Sequence, residues 1–211
     1  MTYPLVALGD VIVGTTGTTN PTKAPLSKFT YIDVASVDNE QKRIVGAREI
    51  LGSEAPSRAR KLTRCNDVLV STVRPNLNAV AIIPPSLDGA VASTGFAVLR
   101  ATTAVLPEFL FYFTRSQVFI ASLCKLTAGA LYPAVTDRQV LEQRLALPSL
   151  LEQRRIVDLL SRAESIVRLR REAQKKAAEL IPALFLDTFG DAATNPKRWP
   201  MSTLGQHVTI E

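Results

Sequence analysis

The sequence has few of the residues that carry catalysis or bind metals. It contains one histidine, His207, and two cysteines, Cys65 and Cys124, which lie far apart along the chain, so no zinc-ligand spacing is present. The Gly-x-x-x-x-Gly-Lys phosphate loop and the Gly-x-Ser-x-Gly nucleophile elbow are also missing. We therefore expect a protein that is not an enzyme, with no catalytic residues, no metal site and no cofactor.

Long apolar runs and a secretory signal are missing as well. No stretch approaches eighteen consecutive apolar residues, and the N-terminus MTYPLVALGD has no basic segment followed by an apolar run. The two cysteines fit reduced thiols. These features predict a cytoplasmic protein that does not contact a membrane, and 211 residues with 46% apolar content suffice for one or two domains.

A moderate excess of positive charge is present. The formal net charge is +6 and the pI is about 9.6, with the excess spread along the chain. Such a balance is compatible with nucleic-acid binding, but it also serves solubility. Charge therefore leaves nucleic acid as one candidate partner among others.

Residues 1–148 predict a β-rich globular domain. β-branched and alternating segments separated by turns indicate strands, and a helix with one apolar face begins at Pro107. The predicted strands are residues 31–38, 67–74, 79–83, 90–101 and 140–148.

Four segments of this domain are candidates for contacts with nucleic acid. The polar loop 14–28 offers hydroxyls and lysines, and the basic segment 56–64 beside a strand suits phosphate contacts. The turn 74–78 carries Arg and Asn, the side chains that make bidentate contacts to guanine and adenine, and the Gly/Pro loop 127–136 carries a tyrosine. Ordinary surface turns fit the same spacing. The candidate residues are Thr16, Thr18, Lys23, Lys28, Arg58, Arg60, Lys61, Arg74, Asn76, Asn78 and Tyr132.

Residues 149–190 predict one long helix. Ser149 can cap its first turn and Glu152 can complete a capping box. Apolar or small residues then recur at steps of three and four, interrupted by Arg170, over about four heptads. This coiled-coil-like seam predicts that the helix protrudes or bridges and pairs lengthwise with another helix. Its residues are Ile156, Leu159, Ala163, Ile166, Ala173, Ala177, Leu180 and Leu184.

Residues 191–211 contain an internal repeat. Residues 199–210 match residues 3–14 at an offset of 196, with aromatic-Pro aligned at the start and Leu-Gly aligned further on. A Gly-Asp and Asn-Pro-Lys linker precedes the repeat. We therefore expect a linker followed by the start of a second copy of the N-terminal domain, which stops at Glu211. Two explanations fit this pattern: a longer protein has been cut short, or the tail completes the domain of a partner.

The chain resembles the specificity subunit of a type I restriction–modification system, in a half-length form. The central stretch carries a Leu-Pro-x-Leu-x-Glu-Gln-x-x-Ile motif similar to the one that opens the conserved region of that family. The tail NPKRWP and the segments DVLVSTVRPNLNAVAI, STGF and GALYPAVTD resemble parts of its target-recognition domains. The motif residues are Leu147, Pro148, Leu150, Glu152, Gln153 and Ile156.

The resemblance implies an α+β chain with a target-recognition domain at 1–148 and a spacer helix at 149–190. Such subunits are non-catalytic and read double-stranded DNA, while modification subunits dock on the helices and methylate adenine with S-adenosylmethionine. A restriction subunit adds ATP-driven translocation and cleavage. Since this chain has one recognition domain and one helix, we expect two copies to associate through the helix and read a symmetric, interrupted site.

Two other classes of protein fit parts of the pattern. A coiled-coil scaffold whose β-rich head binds protein would show no salt-sensitive binding to duplex DNA. An enzyme on an unrecognised fold, such as an acyltransferase, is disfavoured because no nucleophile, base or cofactor constellation is present in the sequence.

Overall fold

The computed structural model describes residues 3–14, 16–127, 129, 131–191 and 193–207. The chain divides into two compact units, Met1–Leu160 and Ser161–Glu211. Short strands dominate the first unit and one long helix dominates the second, which confirms the predicted α+β class.

The first unit contains eleven strands among the described residues. The strands are β1 (Leu5–Ala7), β2 (Lys28–Ile32), β3 (Val37–Asp38), β4 (Arg43–Ile44), β5 (Arg48–Leu51), β6 (Ala59–Leu62), β7 (Val68–Ser71), β8 (Val80–Ile82), β9 (Val91–Ser93), β10 (Phe96–Leu99) and β11 (Arg144–Ala146). The helices are α1 (Pro107–Thr114), α2 (Gln117–Leu126), α3 (Asp137–Leu141) and α4 (Leu150–Phe189).

The strands form four small sheets. A four-stranded sheet has the order β5-β2-β9-β6, in which only β2 and β9 run parallel. A three-stranded antiparallel sheet has the order β10-β7-β8. Two further antiparallel pairs are β1-β11 and β3-β4. The β1-β11 pair joins the N-terminal strand of the first unit to the last strand before helix α4.

The three-stranded sheet is buried on both faces. Successive side chains of a strand point to opposite faces, so Val68 and Val70 of β7 enter the larger core cluster with the helices α1 and α2. Leu69, between them, enters a second cluster with Ile32 and Ala92 of the four-stranded sheet. The unbroken apolar run of β7 is therefore the sequence signature of a strand covered on two sides.

Local capping splits several predicted elements. The predicted strand 31–38 is interrupted after β2, because the Asp33 carboxylate accepts the Val34 amide at 2.6 Å and starts a 3-10 turn. The helix predicted from Pro107 breaks at Ser116, whose hydroxyl caps α2 by accepting the Phe119 amide at 3.3 Å. The predicted strand 90–101 is likewise two strands, β9 and β10.

Helix α4 begins and ends close to the predicted bounds. Ser149 caps it, since its hydroxyl accepts the Glu152 amide at 3.3 Å and its carbonyl accepts the Gln153 amide at 2.8 Å. Gly190 follows the last turn with a φ of 77°, a left-handed conformation that suits glycine. The 40 residues between them span roughly 60 Å at 1.5 Å per residue. No helix among the described residues combines the length and apolarity that a membrane span requires.

The tail carries one structural trace of the predicted repeat. A 3-10 turn at Leu204–Gln206 lies 196 residues after a 3-10 turn at Leu8–Asp10, which is the offset of the sequence repeat. Residues 208–210 of the repeat lie outside the described part of the chain. That residues 191–211 begin a second domain stays a prediction.

Candidate nucleic-acid interface

The polar loop of residues 14–27 is held along strand β6. The Gly17 carbonyl accepts the Leu62 amide at 2.9 Å, and the Thr19 amide donates to the Arg60 carbonyl at 2.8 Å. An isolated antiparallel bridge joins Thr18 to Lys61 between these two bonds. The loop therefore continues the sheet, and it places the predicted residue Thr18 beside the basic strand with its side chain exposed.

The far end of the same loop is fixed at Gly52. The Gly52 amide donates to the Ser27 carbonyl at 2.9 Å, and a Cβ at Gly52 would overlap the carbonyl oxygens of Pro21 and Ala24. Only glycine allows this close approach of two backbone segments. This holds Lys23 and Lys28 near β5, at the sheet edge opposite β6. Lys28 pairs there with Glu49 at 2.9 Å, and this hydrogen bond raises the pKa of Lys28.

The basic segment 56–64 divides into exposed and internally bonded side chains. Arg58 is exposed, and Arg60 is half-buried with its guanidinium donating to the Ala59 carbonyl at 3.0 Å. Lys61 is only 15% exposed, because its ammonium donates to the Phe96 carbonyl at 2.6 Å and pairs with Asp137. A DNA contact by Lys61 stays a prediction, but its main visible role is to tie β6 to the start of α3.

The turn 74–78 and the loop around Tyr132 lie side by side. Val73 bridges Ala134, and the Arg74 amide donates to the Pro133 carbonyl at 2.8 Å. Arg74 and Asn76 are exposed, and Tyr132 is 78% exposed. Two segments about sixty residues apart in sequence are therefore presented together on the surface.

The Lys61–Asp137 pair connects this pair of loops to the basic strand. Asp137 directly follows the tyrosine loop, and Lys61 lies in β6 next to the polar loop. Backbone hydrogen bonds also link the strand neighbours of these segments, since the Thr94 amide donates to the Arg58 carbonyl and the Thr72 amide to the Gly95 carbonyl, both at 2.8 Å. We group the 16–19 loop, Arg58 and Arg60, and the 74–78 turn with Tyr132 as one belt. Lys23 and Lys28 lie outside this belt, and Asn78 turns its side-chain amide inward to the Arg115 carbonyl at 3.0 Å. We call this belt the polar face; its members Thr16, Thr18, Arg58, Arg60, Arg74, Asn76 and Tyr132 stay predicted DNA contacts.

Asp67 and Arg100 form a buried ion pair next to the basic segment. The sequence did not predict this pair. Asp67 is 1% exposed at its side chain and accepts from Arg100 at 2.8 and 2.7 Å in a bidentate arrangement. It also accepts the Arg64 amide at 2.8 Å. The hydrogen bond to Asp67 raises the pKa of Arg100, so the guanidinium stays charged. It fixes the basic segment to the start of β7.

Gln153 fixes the first turn of helix α4 within the first unit. Its side chain is fully buried, accepts the Leu106 amide at 2.8 Å, and donates to the carbonyls of Ala104 at 3.1 Å and Pro148 at 3.0 Å. Ile156, placed in the predicted seam, packs partly against the core of this unit. The sequence signal for this contact was the Glu-Gln pair of the motif, which periodicity alone does not explain.

After the first turns of helix α4, which contain Gln153 and Ile156, the helix becomes exposed. Every residue from 165 to 189 is exposed. Of the other predicted seam residues, Leu159 and Ile166 are 69% and 68% exposed, and Leu180 and Leu184 are about half exposed. At about 100° per residue, Val167, Ile181 and Phe185 extend the same face. These exposed apolar side chains form an uncovered stripe, and pairing of Leu159, Ala163, Ile166, Ala173, Ala177, Leu180 and Leu184 with a second helix stays a prediction.

The segment after Gly190 folds onto the end of the helix. The Lys197 ammonium donates to the carbonyls of Asp187 and, at 2.7 Å, Thr188. The Trp199 indole donates to the Phe189 carbonyl at 3.0 Å. Carbonyls of the last helical turn have no partner within the helix, and a cation near them is favourable. The Asn-Pro-Lys-Arg-Trp-Pro segment is therefore a C-terminal cap.

Comparison with known proteins decides the family. Residues 3–180 match the family of the type I restriction modification DNA specificity domain. The chain belongs to this family. It is 40% identical, with a TM-score of 0.72, to the HsdS subunit from Thermoanaerobacter tengcongensis, over 96% of this chain. It is also 40% identical, with a TM-score of 0.74, to a chain from a structural study of complex assembly and conformational transition of the type I R-M system, over 97% of this chain.

A curated relative gives the same family at lower identity. The type I restriction enzyme HindI specificity subunit of Haemophilus influenzae is 26% identical over 162 residues, or 75% of this chain. The chain spans 35% of that subunit and 52% of each solved relative. The predicted resemblance is therefore confirmed, and the specificity-domain family includes both the strand-rich unit and most of helix α4.

Proposed function

We propose that the first unit reads a DNA sequence as a non-catalytic specificity component of a type I restriction–modification complex. Family membership supports this role, and the polar face is the observation that carries it. It offers exposed Arg and Asn side chains on segments that lie far apart in the sequence. Such side chains supply both phosphate and base-edge contacts to duplex DNA.

The members of the polar face divide by chemistry. Arg58 immediately precedes strand β6 and Arg60 lies within it, and both would contact phosphates, together with the hydroxyls of the adjoining loop. Arg74 and Asn76 project from a turn and would reach base edges in a groove, beside Tyr132. The buried Asp67–Arg100 pair keeps the strand that supports them in place.

Helix α4 would act as a spacer and a docking site. The modification subunits would bind along it and carry out adenine methylation with S-adenosylmethionine, and a restriction subunit would add ATP-driven translocation and cleavage. A second copy of the chain would pair with the apolar stripe. Two copies related by a two-fold axis would then read a symmetric, interrupted DNA site. The protein would act in the cytoplasm, where the DNA is.

The DNA role is tested by binding to duplex DNA at several salt concentrations. Arg58→Glu should weaken binding to every sequence and flatten the dependence of log affinity on log salt. Arg74→Ala should instead change the preferred sequence. Arg48→Glu, which makes the same change in net charge as Arg58→Glu at the β5 edge, is the control and should bind like wild type. Binding by wild type that is weak and insensitive to salt would favour the scaffold interpretation.

The pairing role is tested with two leucines of equal exposure. Leu184 and Leu186 are 55% and 54% exposed, and they point about 200° apart on the helix. Leu184→Glu should abolish self-association in light scattering after size-exclusion chromatography, whereas Leu186→Glu should leave it intact. A wild-type monomer at micromolar concentration would contradict self-association.

A further inference from the structure

The backbone of the turn 74–78 is left-handed at both ends, which is unfavourable at Arg74. Arg74 and Asn78 have φ angles of 50° and 51°, in the left-handed region. This region is uncommon for residues other than glycine, and for arginine in particular it has a free-energy cost. Backbone strain of this kind persists only where surrounding contacts hold it.

Two contacts from distant segments hold the end of the turn. The Asn78 side-chain amide donates to the Arg115 carbonyl at 3.0 Å, and the Lys42 ammonium donates to the Asn78 carbonyl at 2.5 Å. Both partners are fixed in turn. The Arg115 amide donates to the Phe111 carbonyl at 3.3 Å, and the Lys42 amide donates to the Asp38 carbonyl at 2.8 Å. The Arg115 guanidinium also lies 5.0 Å from the centre of the Phe111 ring.

The environment of Lys42 is poor for a charge that binds DNA. Lys42 is half-buried, and burial, followed by the nearby positive charge of Arg115, lowers the pKa of its ammonium. Asp38 acts in the opposite direction. A lysine that serves phosphate binding is normally free in solvent, whereas this ammonium is directed at a backbone carbonyl.

The Asn78 side chain also points into the protein. Its side-chain oxygen is buried without a hydrogen-bond partner among the described residues. A buried carbonyl oxygen that makes no hydrogen bond is destabilising. Because its amide nitrogen is already bonded to the Arg115 carbonyl and its backbone is left-handed, a conformation that asparagine tolerates, we assign the side chain a role in holding the turn.

We propose that Lys42 and Asn78 are positioning residues for sequence reading. They clamp the turn so that Arg74 and Asn76 are presented in one fixed arrangement, and neither of the two touches DNA. This inference rests on the proposed DNA-reading function. It moves Asn78 from the predicted DNA contacts to the support of the turn, and it adds Lys42.

The test compares affinities of the full-length chain for two duplexes: the sequence enriched by wild type from a randomised library, and a scrambled version. Lys42→Met and Asn78→Gly should lower the ratio of the two affinities about ten-fold, because a displaced bidentate contact loses discrimination between bases. Affinity for the scrambled duplex and the salt slope should not change. Asn78→Gly keeps the left-handed backbone, and Lys42→Arg, which retains a donor, should keep most of the discrimination.

Controls separate the possible failures. Thermal unfolding of each variant verifies folding, and Lys28→Met reports the effect of removing a lysine elsewhere. A salt slope reduced by about 0.9, with equal loss on both duplexes, would show that Lys42 contacts a phosphate and would overturn the inference. An unchanged ratio in Asn78→Gly and Lys42→Met would overturn it too, while leaving the proposed function intact. Failure of wild type itself to distinguish the duplexes would overturn both.

Discussion

The hydrogen bonds of the buried Gln153 side chain within the first unit give the sharpest stability prediction. Gln153→Met keeps side-chain length and helix propensity but removes three hydrogen bonds made by a fully buried group. Each such bond contributes about 1 kcal/mol net, and its loss leaves a backbone amide and two carbonyls without their partner. The free energy of unfolding should therefore fall by about 3 kcal/mol. For a unit of this size that corresponds to a decrease in Tm of about 6–12 °C.

The assay is urea unfolding followed by far-UV circular dichroism, with thermal unfolding in parallel. Gln174→Met, at an exposed position of the same helix, is the matched control and should change stability by less than about 0.5 kcal/mol. A loss below about 1 kcal/mol for Gln153→Met would refute the reasoning, because it would mean that water replaces the three bonds. Equal losses in both variants would trace the effect to helix propensity instead.

Three further predictions concern local contacts. Gly52→Ala should destabilise the protein by about 2–3 kcal/mol in urea, because its Cβ would overlap two carbonyl oxygens, whereas Gly14→Ala has open space and should be close to neutral. Arg100→Met should cost about 3–5 kcal/mol, since it leaves a buried carboxylate unpaired; a loss under 1 kcal/mol would contradict the burial of that pair. Lys197→Met should release the C-terminal cap and make Trp199, the sole tryptophan, more accessible to acrylamide quenching; unchanged quenching would argue against the cap.

Features set by neighbouring residues were predictable from the sequence. The start of helix α4 at Ser149 and its end before Gly190 follow from capping chemistry within a few residues. The same local chemistry explains two errors: Asp33 and Ser116 are capping residues inside segments that were predicted to be continuous. Each side chain accepts a backbone amide and starts a new helical turn, although the apolar pattern around it continues.

Features set by distant residues were not predictable in this way. Lys61 stands in a basic run that suits phosphate binding, yet its partner Asp137 is 76 residues away in sequence. Gln153 is polar on a helix of largely polar character, and its burial depends on backbone groups at the end of β11 and before α1. No periodic pattern encodes such bonds, so only the family motif pointed to Gln153.

The central claim, that this chain reads DNA sequence through its polar face, is tested most directly by selection from a randomised duplex library. The wild-type chain should enrich a defined short sequence, and Arg74→Ala should enrich a different or relaxed one while retaining the salt dependence of wild type. The account would be contradicted if wild type enriched no sequence, or if Arg74→Ala enriched the same sequence with unchanged strength.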